Sequence, residues 1–278
     1  MSNIDSNNNI HPTAMVHSNA QLGNNVKIGA NTIIGENVII GDNTEIGAFT
    51  IVEGITTIGK NNYIGHHSVI GGKPQDMKYA NEPTKLIIGN NNTIREFVTI
   101  HTGTTQDKGV TVVGSNNWIM SYVHLAHDCN LADNIIISNN AQLAGHVHVQ
   151  NHAIIGGMSG IHQFVRIGEH AMIGGASSLV QDVPPYVMAA GSKATPHGIN
   201  STGLARRGFA TEVISKIKHA YKLVYRENLS FEEAKNAIDE YLANIDVSLS
   251  QDDSNHQAKL AIQTFSDFIK SSERGIIR

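Results

Sequence analysis

The sequence has 278 residues, a formal net charge of −4 and a single cysteine, Cys129. A slightly acidic chain lacks the basic surface that nucleic-acid binding needs, so we expect no nucleic-acid partner. One thiol cannot close an intrachain disulfide, and the polar N-terminus has no apolar signal core, which together predict a cytoplasmic protein. We expect no integral membrane segment, because no stretch is long and apolar enough to span a bilayer.

An aliphatic residue recurs at every sixth position over most of the chain. One series starts at Ile10 and continues to Ile100, and a second series, displaced by one residue, runs from Val113 to Leu179. A period of six does not match an α-helix, but it fits one short strand followed by one corner. Coils of three such hexads would stack their aliphatic residues in inward-facing ladders, which predicts a parallel β-helix. The periodicity leaves the hand of the helix open.

Two segments interrupt the repeat, residues 72–87 and residues 102–112. Insertions in a solenoid leave it as surface loops, and such loops often carry function. A purely decorative loop is the alternative for each segment.

The C-terminal part of the chain has helical rather than six-residue periodicity. The aliphatic series ends at Leu179, and helical spacing follows, with a capping box at Ser230 and Glu233. We therefore predict a β-helix over residues 1–190 and a smaller α-helical domain over residues 191–278.

Stacking of residues eighteen apart would bring polar side chains together. His127 would lie beside Gly145, and Asp128 beside His146. A neutral imidazole can take a proton from an attacking hydroxyl, a carboxylate can orient it, and a glycine N–H can face a developing oxyanion. This set suits acyl transfer from an activated donor. A stack of solvated histidines on one face of the solenoid is an equally acceptable interpretation.

Several motifs occur in an order that resembles one family. They are Gln75 to Tyr79, His124 to Cys129, Leu143 to His146, His162 to Phe164, Gln181 to Tyr186, and Arg206 to Phe209. Together with the hexads they resemble the UDP-N-acetylglucosamine O-acyltransferases of the hexapeptide-repeat superfamily. The resemblance implies a left-handed β-helix and a homotrimer with active sites between subunits. It implies no cofactor and no metal.

The same resemblance implies a reaction. A 3-hydroxyacyl chain would pass from acyl carrier protein to the 3-hydroxyl of UDP-N-acetylglucosamine, the first step of lipid A biosynthesis, without a covalent intermediate. His127 would be the general base, Asp128 would orient it, and the Gly145 amide would stabilise the oxyanion. Gly175 occupies the position linked to acyl-length selection. The residues implied to bind substrate or support the site are Gln75, Asp76, Lys78, His124, His146, His162, Gln163, Asn200, Arg206 and Arg207.

Two departures from the family pattern and three alternatives stay open at this point. Thr202 replaces a family glutamate, and Lys193 a frequent histidine. The first alternative is N-acyl transfer, either to a UDP-3-amino sugar or by the sister UDP-3-O-acylglucosamine N-acyltransferase. The second is a zinc hydratase with three histidines on the same fold. The third is a non-enzymatic binding surface, for which the candidate ladder is Thr32, Thr44, Thr50 and Thr56.

Overall fold

A computed structural model describes residues 7–245 and 254–278. Most of the chain is the expected left-handed parallel β-helix, whose triangular cross-section has three sheets, named here faces A, B and C. Face A contains Asn9–Ile10 (β1), Lys27–Ile28 (β4), Glu45–Ile46 (β7), Tyr63–Ile64 (β10), Thr93–Ile94 (β13), Trp118–Ile119 (β16), Ile136–Ile137 (β19), Ile154–Ile155 (β22), Met172–Ile173 (β25), Val187–Ala190 (β27) and Thr195–Ile199 (β28).

The other two faces contain equally short strands. Face B contains Met15–Val16 (β2), Ile33–Ile34 (β5), Ile51–Val52 (β8), Val69–Gly72 (β11), Thr99–His101 (β14), His124–Leu125 (β17), Gln142–Leu143 (β20), Gly160–Ile161 (β23) and Ser178–Leu179 (β26). Face C contains Gln21–Leu22 (β3), Val38–Ile40 (β6), Ile55–Ile58 (β9), Lys85–Ile88 (β12), Val110–Val113 (β15), Asn130–Leu131 (β18), His148–Val149 (β21) and Arg166–Ile167 (β24).

The aliphatic hexad positions form the core, as the periodicity predicted. Ile64 pairs with Ile94, which pairs with Ile119 one coil later, and all three side chains are fully buried. Each coil therefore covers the apolar interior of its neighbour, while its backbone amides bond to the next coil. A standard coil has eighteen residues, so that Ile136 lies beside Ile154.

The three corners of the triangle turn through residues in the left-handed region of φ. Asparagine tolerates this conformation well, and it fills successive turns at the CA corner, the turns between faces C and A. There the side-chain amides form a ladder of hydrogen bonds of 3.2 Å that joins Asn25, Asn43, Asn61 and Asn91.

Both loops leave the solenoid at one place, the BC corner, which comprises the turns between faces B and C such as 126–129 and 144–147. The first loop covers residues 73–84, and the second covers residues 102–109. Both are shorter than the predicted interruptions, because β12 pairs with β9 from Lys85 onward and β15 pairs with β12 from Val110 onward.

The two loops also explain the change of phase in the hexad series. The coil that carries the first loop is thirty residues long, from Ile64 to Ile94, and this multiple of six preserves the phase. The coil that carries the second loop is twenty-five residues long, from Ile94 to Ile119, and displaces the series by one residue.

The described part of the C-terminal region contains four helices, preceded by a last strand. β28 pairs antiparallel with β27 and extends face A to Ile199, so strand structure continues past residue 190, the predicted end of the β-helix. The helices are Ser201–Arg206 (α1), Thr211–Tyr225 (α2), Phe231–Ala243 (α3) and Ser254–Lys270 (α4). The capping box of Ser230 and Glu233 is present at the start of α3. No helix among the described residues is both long and apolar enough to cross a bilayer.

The end of the chain returns to the β-helix at the BC corner. The backbone N–H of Asp182 donates to the carbonyl of Gly275 (3.1 Å), and the N–H of Ile277 donates to the carbonyl of Asp182 (2.9 Å). The residues after α4 are thereby fixed beside the last turns of this corner.

Candidate active site

A buried histidine–aspartate pair occupies the BC corner at the coil after the second loop. Nδ1 of His127 lies 2.9 Å from Oδ2 of Asp128, and Asp128 adopts a positive φ that turns the chain here. A Cβ added at Gly145, one coil later, would lie 2.5 Å from Cε1 and 2.7 Å from Nε2 of His127. The predicted stacking of His127 on Gly145 is therefore confirmed, and only glycine leaves room for this ring.

The second loop holds the carboxylate of this pair. Thr104 donates to Asp128 from its backbone N–H, at 2.9 and 3.1 Å from the two oxygens, and from its hydroxyl at 2.6 Å. Burial acts to raise the pKa of Asp128, but the hydrogen bonds from His127 and Thr104 outweigh it and lower the pKa. An ionised carboxylate only accepts, so Nδ1 of His127 carries a proton, and Nε2 is the nitrogen that can act as a base.

An open groove of about 490 Å³ runs beside this pair. Its walls come from the first loop and from successive turns of the BC corner, and its floor is formed by outward positions of face B. The predicted site residues that line it are Gln75, His124, His127, Gly145, His162 and Gln163.

Two further histidines lie behind His127 on face B. The imidazoles of His101 and His124 contact edge to face at 4.8 Å, and Nδ1 of His124 lies 2.7 Å from Oγ1 of Thr99. Burial, together with the neighbouring imidazoles of His124 and His127, lowers the pKa of His101 to about 4. Burial and His127 likewise lower the pKa of His124. Both rings are thus uncharged at neutral pH.

His146 flanks the pair from the following coil. Its ring meets His127 edge to face at 5.0 Å and stacks on Phe164 at 4.3 Å. Nδ1 of His146 lies 3.0 Å from Oδ2 of Asp107 on the second loop. The predicted neighbours Asp128 and His146 do meet, with 3.8 Å between Oδ2 and Nε2.

The geometry adds residues that the sequence pattern did not identify as part of the site. Thr104 and Asp107 belong to the second loop, whose conformation no repeat specifies. Arg274, near the end of the chain, approaches Nδ1 of the groove residue His162 at 3.2 Å. This contact joins residues 112 positions apart, and no spacing rule in the sequence indicates it.

Other predicted site residues are not among those that line this groove. Asp76 and Lys78 are near the tip of the first loop, where the Lys78 N–H donates to Oδ1 of Asp76 at 2.9 Å. Gly175 belongs to the AB corner, the turns between faces A and B, where an added Cβ would contact the Gly157 carbonyl at 3.4 Å. Arg206 ends α1.

Asn200 and Arg207 lie on the CA-corner side of the molecule. Arg207 shares a pocket with Glu169 and Tyr186. Asn200 is buried and caps α1, because its Oδ1 accepts from the Gly203 N–H (3.1 Å) and its Nδ2 donates to the His170 carbonyl (3.1 Å). The observed contacts of Asn200 are thus structural.

The described residues also bear on the alternatives. One group of possible metal ligands, His127, Asp128 and His146, has its ligand atoms within 4.8 Å of one another. It offers two imidazoles and a carboxylate already engaged by Thr104, whereas the hydratase alternative requires three histidines. The threonine-surface alternative is wrong, because all four side chains in its ladder point inward and are buried: Thr32, Thr44, Thr50 and Thr56.

Comparison with known proteins defines first a class. Residues 19–54, 37–72 and 111–145 match the bacterial transferase hexapeptide family, in agreement with the coils observed. Residues 182–277 match the second domain of UDP N-acetylglucosamine O-acyltransferase. The chain is therefore a hexapeptide-repeat acyltransferase.

The relatives then specify the family. The chain is 55% identical over 209 residues to acyl-[acyl-carrier-protein]--UDP-N-acetylglucosamine O-acyltransferase of Burkholderia lata, covering 75% of this chain and 76% of the relative. The UDP-N-acetylglucosamine acyltransferase of Francisella novicida superposes with a TM-score of 0.89 at 42% identity, covering 97% of this chain and 94% of that one. LpxA of Acinetobacter baumannii gives 0.88 at 42% identity, with coverage of 97% and 99%. The chain belongs to the UDP-N-acetylglucosamine O-acyltransferase family.

Substitution of Gly145 tests the contact between the corner glycine and the imidazole. In Gly145→Ala the new methyl must displace the His127 ring, since it would approach Nε2 to 2.7 Å. We expect kcat for acyl transfer to fall by about 10²-fold or more, in the range of general-base contributions. The circular dichroism spectrum and the thermal midpoint should change little, because only the end of a side chain moves. A Gly145→Ala enzyme with full kcat would contradict this account.

His101 should make the protein sensitive to acid. Its pKa is about 4 in the folded chain against 6.5 for a free histidine, so the unfolded chain binds more protons between these values. Above pH 6.5 this residue does not affect the free energy of unfolding. As the pH falls toward 4, it lowers the free energy of unfolding by about 3 kcal/mol at most. Urea unfolding at pH 7 and pH 5 should show a smaller loss for His101→Gln than for the parent or for His11→Gln, an exposed control. Equal losses would refute the effect.

Proposed function

We propose that this enzyme transfers an (R)-3-hydroxyacyl chain from acyl carrier protein to the 3-hydroxyl of UDP-N-acetylglucosamine, in the cytoplasm, as the first step of lipid A biosynthesis. The observation that carries the proposal is the buried His127–Asp128 pair lying against Gly145 at the edge of an open groove. Family membership supports the same substrates, because the Burkholderia relatives carry them in their names. It favours the hydroxyl acceptor over the 3-amino sugar and over the sister N-acyltransferase.

The proposed chemistry uses one base and no covalent intermediate. Nε2 of His127 takes the proton of the sugar 3-hydroxyl while the oxygen attacks the thioester carbonyl carbon. The carbon–oxygen bond forms, the carbon–sulfur bond breaks, and the proton returns from His127 to the departing pantetheine thiolate. The thioester is already activated, so no serine or cysteine nucleophile is needed. Cys129 is consistent with this, since burial raises the pKa of its thiol to about 12.

Asp128 and Gly145 support the two charges that develop. Oδ2 of Asp128 accepts the hydrogen bond from Nδ1 of His127 (2.9 Å between the two atoms) and stabilises the imidazolium as it forms. The Gly145 N–H is the proposed donor to the oxyanion of the tetrahedral intermediate, and one such donor is worth about 10²–10³ in kcat. Gln75, His124, His162 and Gln163 line the groove and are proposed to bind the substrates, with His146 supporting the site.

We also propose a homotrimer in which neighbouring subunits complete each site. The resemblance to the family implies substrate contacts for Arg206 and Arg207 and acyl-length selection for Gly175. Within one chain, however, these residues do not lie at the BC corner. In a three-fold assembly each subunit contact is heterologous, so that one surface of a subunit lies against a different surface of the next. Asp76 and Lys78 project on the first loop toward the same intersubunit cleft in this arrangement.

Removal of the proposed base should abolish turnover without unfolding the chain. We expect His127→Ala to lower kcat by about 10²–10⁴-fold, while His17→Ala, an exposed control, keeps parental activity. Mass spectrometry of the product from UDP-N-acetylglucosamine and mixed 3-hydroxyacyl carrier-protein thioesters should show one O-linked ester. Rapid turnover by the His127→Ala enzyme would overturn the base assignment, and an amide product from a 3-amino sugar alone would overturn the acceptor.

Mixed oligomers test whether the site is shared between subunits. His127→Ala and the double variant Arg206→Ala/Arg207→Ala should each be nearly inactive as homo-oligomers. If one subunit supplies the base and its neighbour supplies the arginines, co-refolded mixtures contain some intact sites and regain a fraction of parental activity. Mixtures that stay as inactive as either parent variant, despite proven subunit exchange, would exclude a shared site of this composition.

A further inference from the structure

The second loop contacts the catalytic corner at a point that the proposed mechanism does not use. Asp107 lies near the tip of this loop, with its side chain 33% exposed, and its Oδ2 is 3.0 Å from Nδ1 of His146. His146 itself is buried to 9% exposure. A buried imidazole held by a carboxylate from another segment has a fixed orientation, and this orientation determines which ring nitrogen faces the His127–Asp128 pair.

Three contacts fix the His146 ring. Phe164 stacks on it from the next coil with 11° between the ring planes, and His127 meets it nearly perpendicular at 87°. Asp107 determines which nitrogen carries the proton, because an ionised carboxylate is acceptor-only and so requires the proton on Nδ1. In the neutral ring Nε2 then has a lone pair and no hydrogen.

Nε2 of His146 faces the carboxylate that orients the base. It lies 3.8 Å from Oδ2 of Asp128, which is beyond hydrogen-bond distance. The same oxygen already accepts from Nδ1 of His127 and from the hydroxyl and N–H of Thr104. A proton on Nε2 of His146 would point a further donor at an oxygen that His127 needs.

We propose that Asp107 is a positioning residue for acyl transfer: it keeps the proton of His146 on Nδ1 and so reserves Oδ2 of Asp128 for His127. This inference rests on the proposed roles of His127 and Asp128. The second loop then acts at two points, since Thr104 holds the carboxylate of Asp128 and Asp107 prevents a competing donor from reaching it.

Two substitutions separate the hydrogen bond from the charge. Asp107→Ala removes the acceptor, and His146 is free to carry its proton on Nε2 and approach Asp128. Asp107→Asn keeps an amide oxygen that can accept from Nδ1 but has no charge. We expect kcat to fall about tenfold in Asp107→Ala, within the range of couplings between contacting residues, with KM for UDP-N-acetylglucosamine changed less than about twofold. Asp107→Asn should lie between this variant and the parent.

The tautomer of His146 is the direct readout, and it does not depend on turnover. In ¹⁵N-histidine-labelled protein, with His146→Gln used to assign the signal, Nδ1 should be protonated in the parent and in Asp107→Asn. In Asp107→Ala the proton should move to Nε2. A parent protein with the proton on Nε2, or an Asp107→Ala protein with the parental tautomer, would overturn the proposal.

A double-mutant cycle tests whether Asp107 acts through His146. If it does, Asp107→Ala has no further effect on kcat in a His146→Ala background. Gln106→Ala, on the same exposed turn, is the matched control and should keep parental kcat. Additive losses, or a loss confined to KM, would show that Asp107 contacts substrate or merely anchors the loop, and the proposal would fail. An active His127→Ala enzyme would instead refute the proposed function, while the tautomer result would stand.

Discussion

The stacking of one coil on the next is the constraint on which the rest of this molecule depends. Aliphatic side chains such as Ile64, Ile94 and Ile119 fill the interior in register, and the backbone bonds between coils fix their separation at roughly 4.8 Å. The core cannot shift by one residue, because such a slip would turn the buried ladder outward. Every residue at a corner therefore has a determined neighbour one coil away, and His127 and Gly145 in the candidate active site are such neighbours.

The same constraint explains how a carboxylate and several imidazoles come to be buried together. His127 and Asp128 occupy a corner turn whose geometry is set by the coils above and below it, and Gly145 leaves the space that the ring fills. Burial would disfavour the charge on Asp128, and the hydrogen bonds from Thr104 and His127 compensate. The rigid apolar core thus fixes the position of the buried polar side chains, and the second loop supplies the hydrogen bonds that stabilise the carboxylate of Asp128.

Residue spacing explains which features could be predicted. The β-helix follows from the six-residue period. The contact between His127 and Gly145 follows because three hexads make one coil, so that residues eighteen apart lie beside each other. The contacts of Asp107 and Arg274 do not follow from it. Asp107 lies in a loop and Arg274 near the end of the chain, and neither segment follows the six-residue repeat. The capping role of Asn200 also could not be predicted, because a capping side chain is recognisable only once the start of the helix is known.

Both loops leave from a single corner, and the coils on either side pair regularly whether the intervening coil has thirty residues or twenty-five. Length at this corner is thus uncoupled from the register of the core. Evolution can reshape what the groove accepts by insertion and deletion there, leaving the scaffold intact. Insertions or deletions at the CA corner would instead interrupt the ladder of asparagine amides. A designer who wishes to alter acyl or sugar recognition would vary loop length before changing any residue of the solenoid.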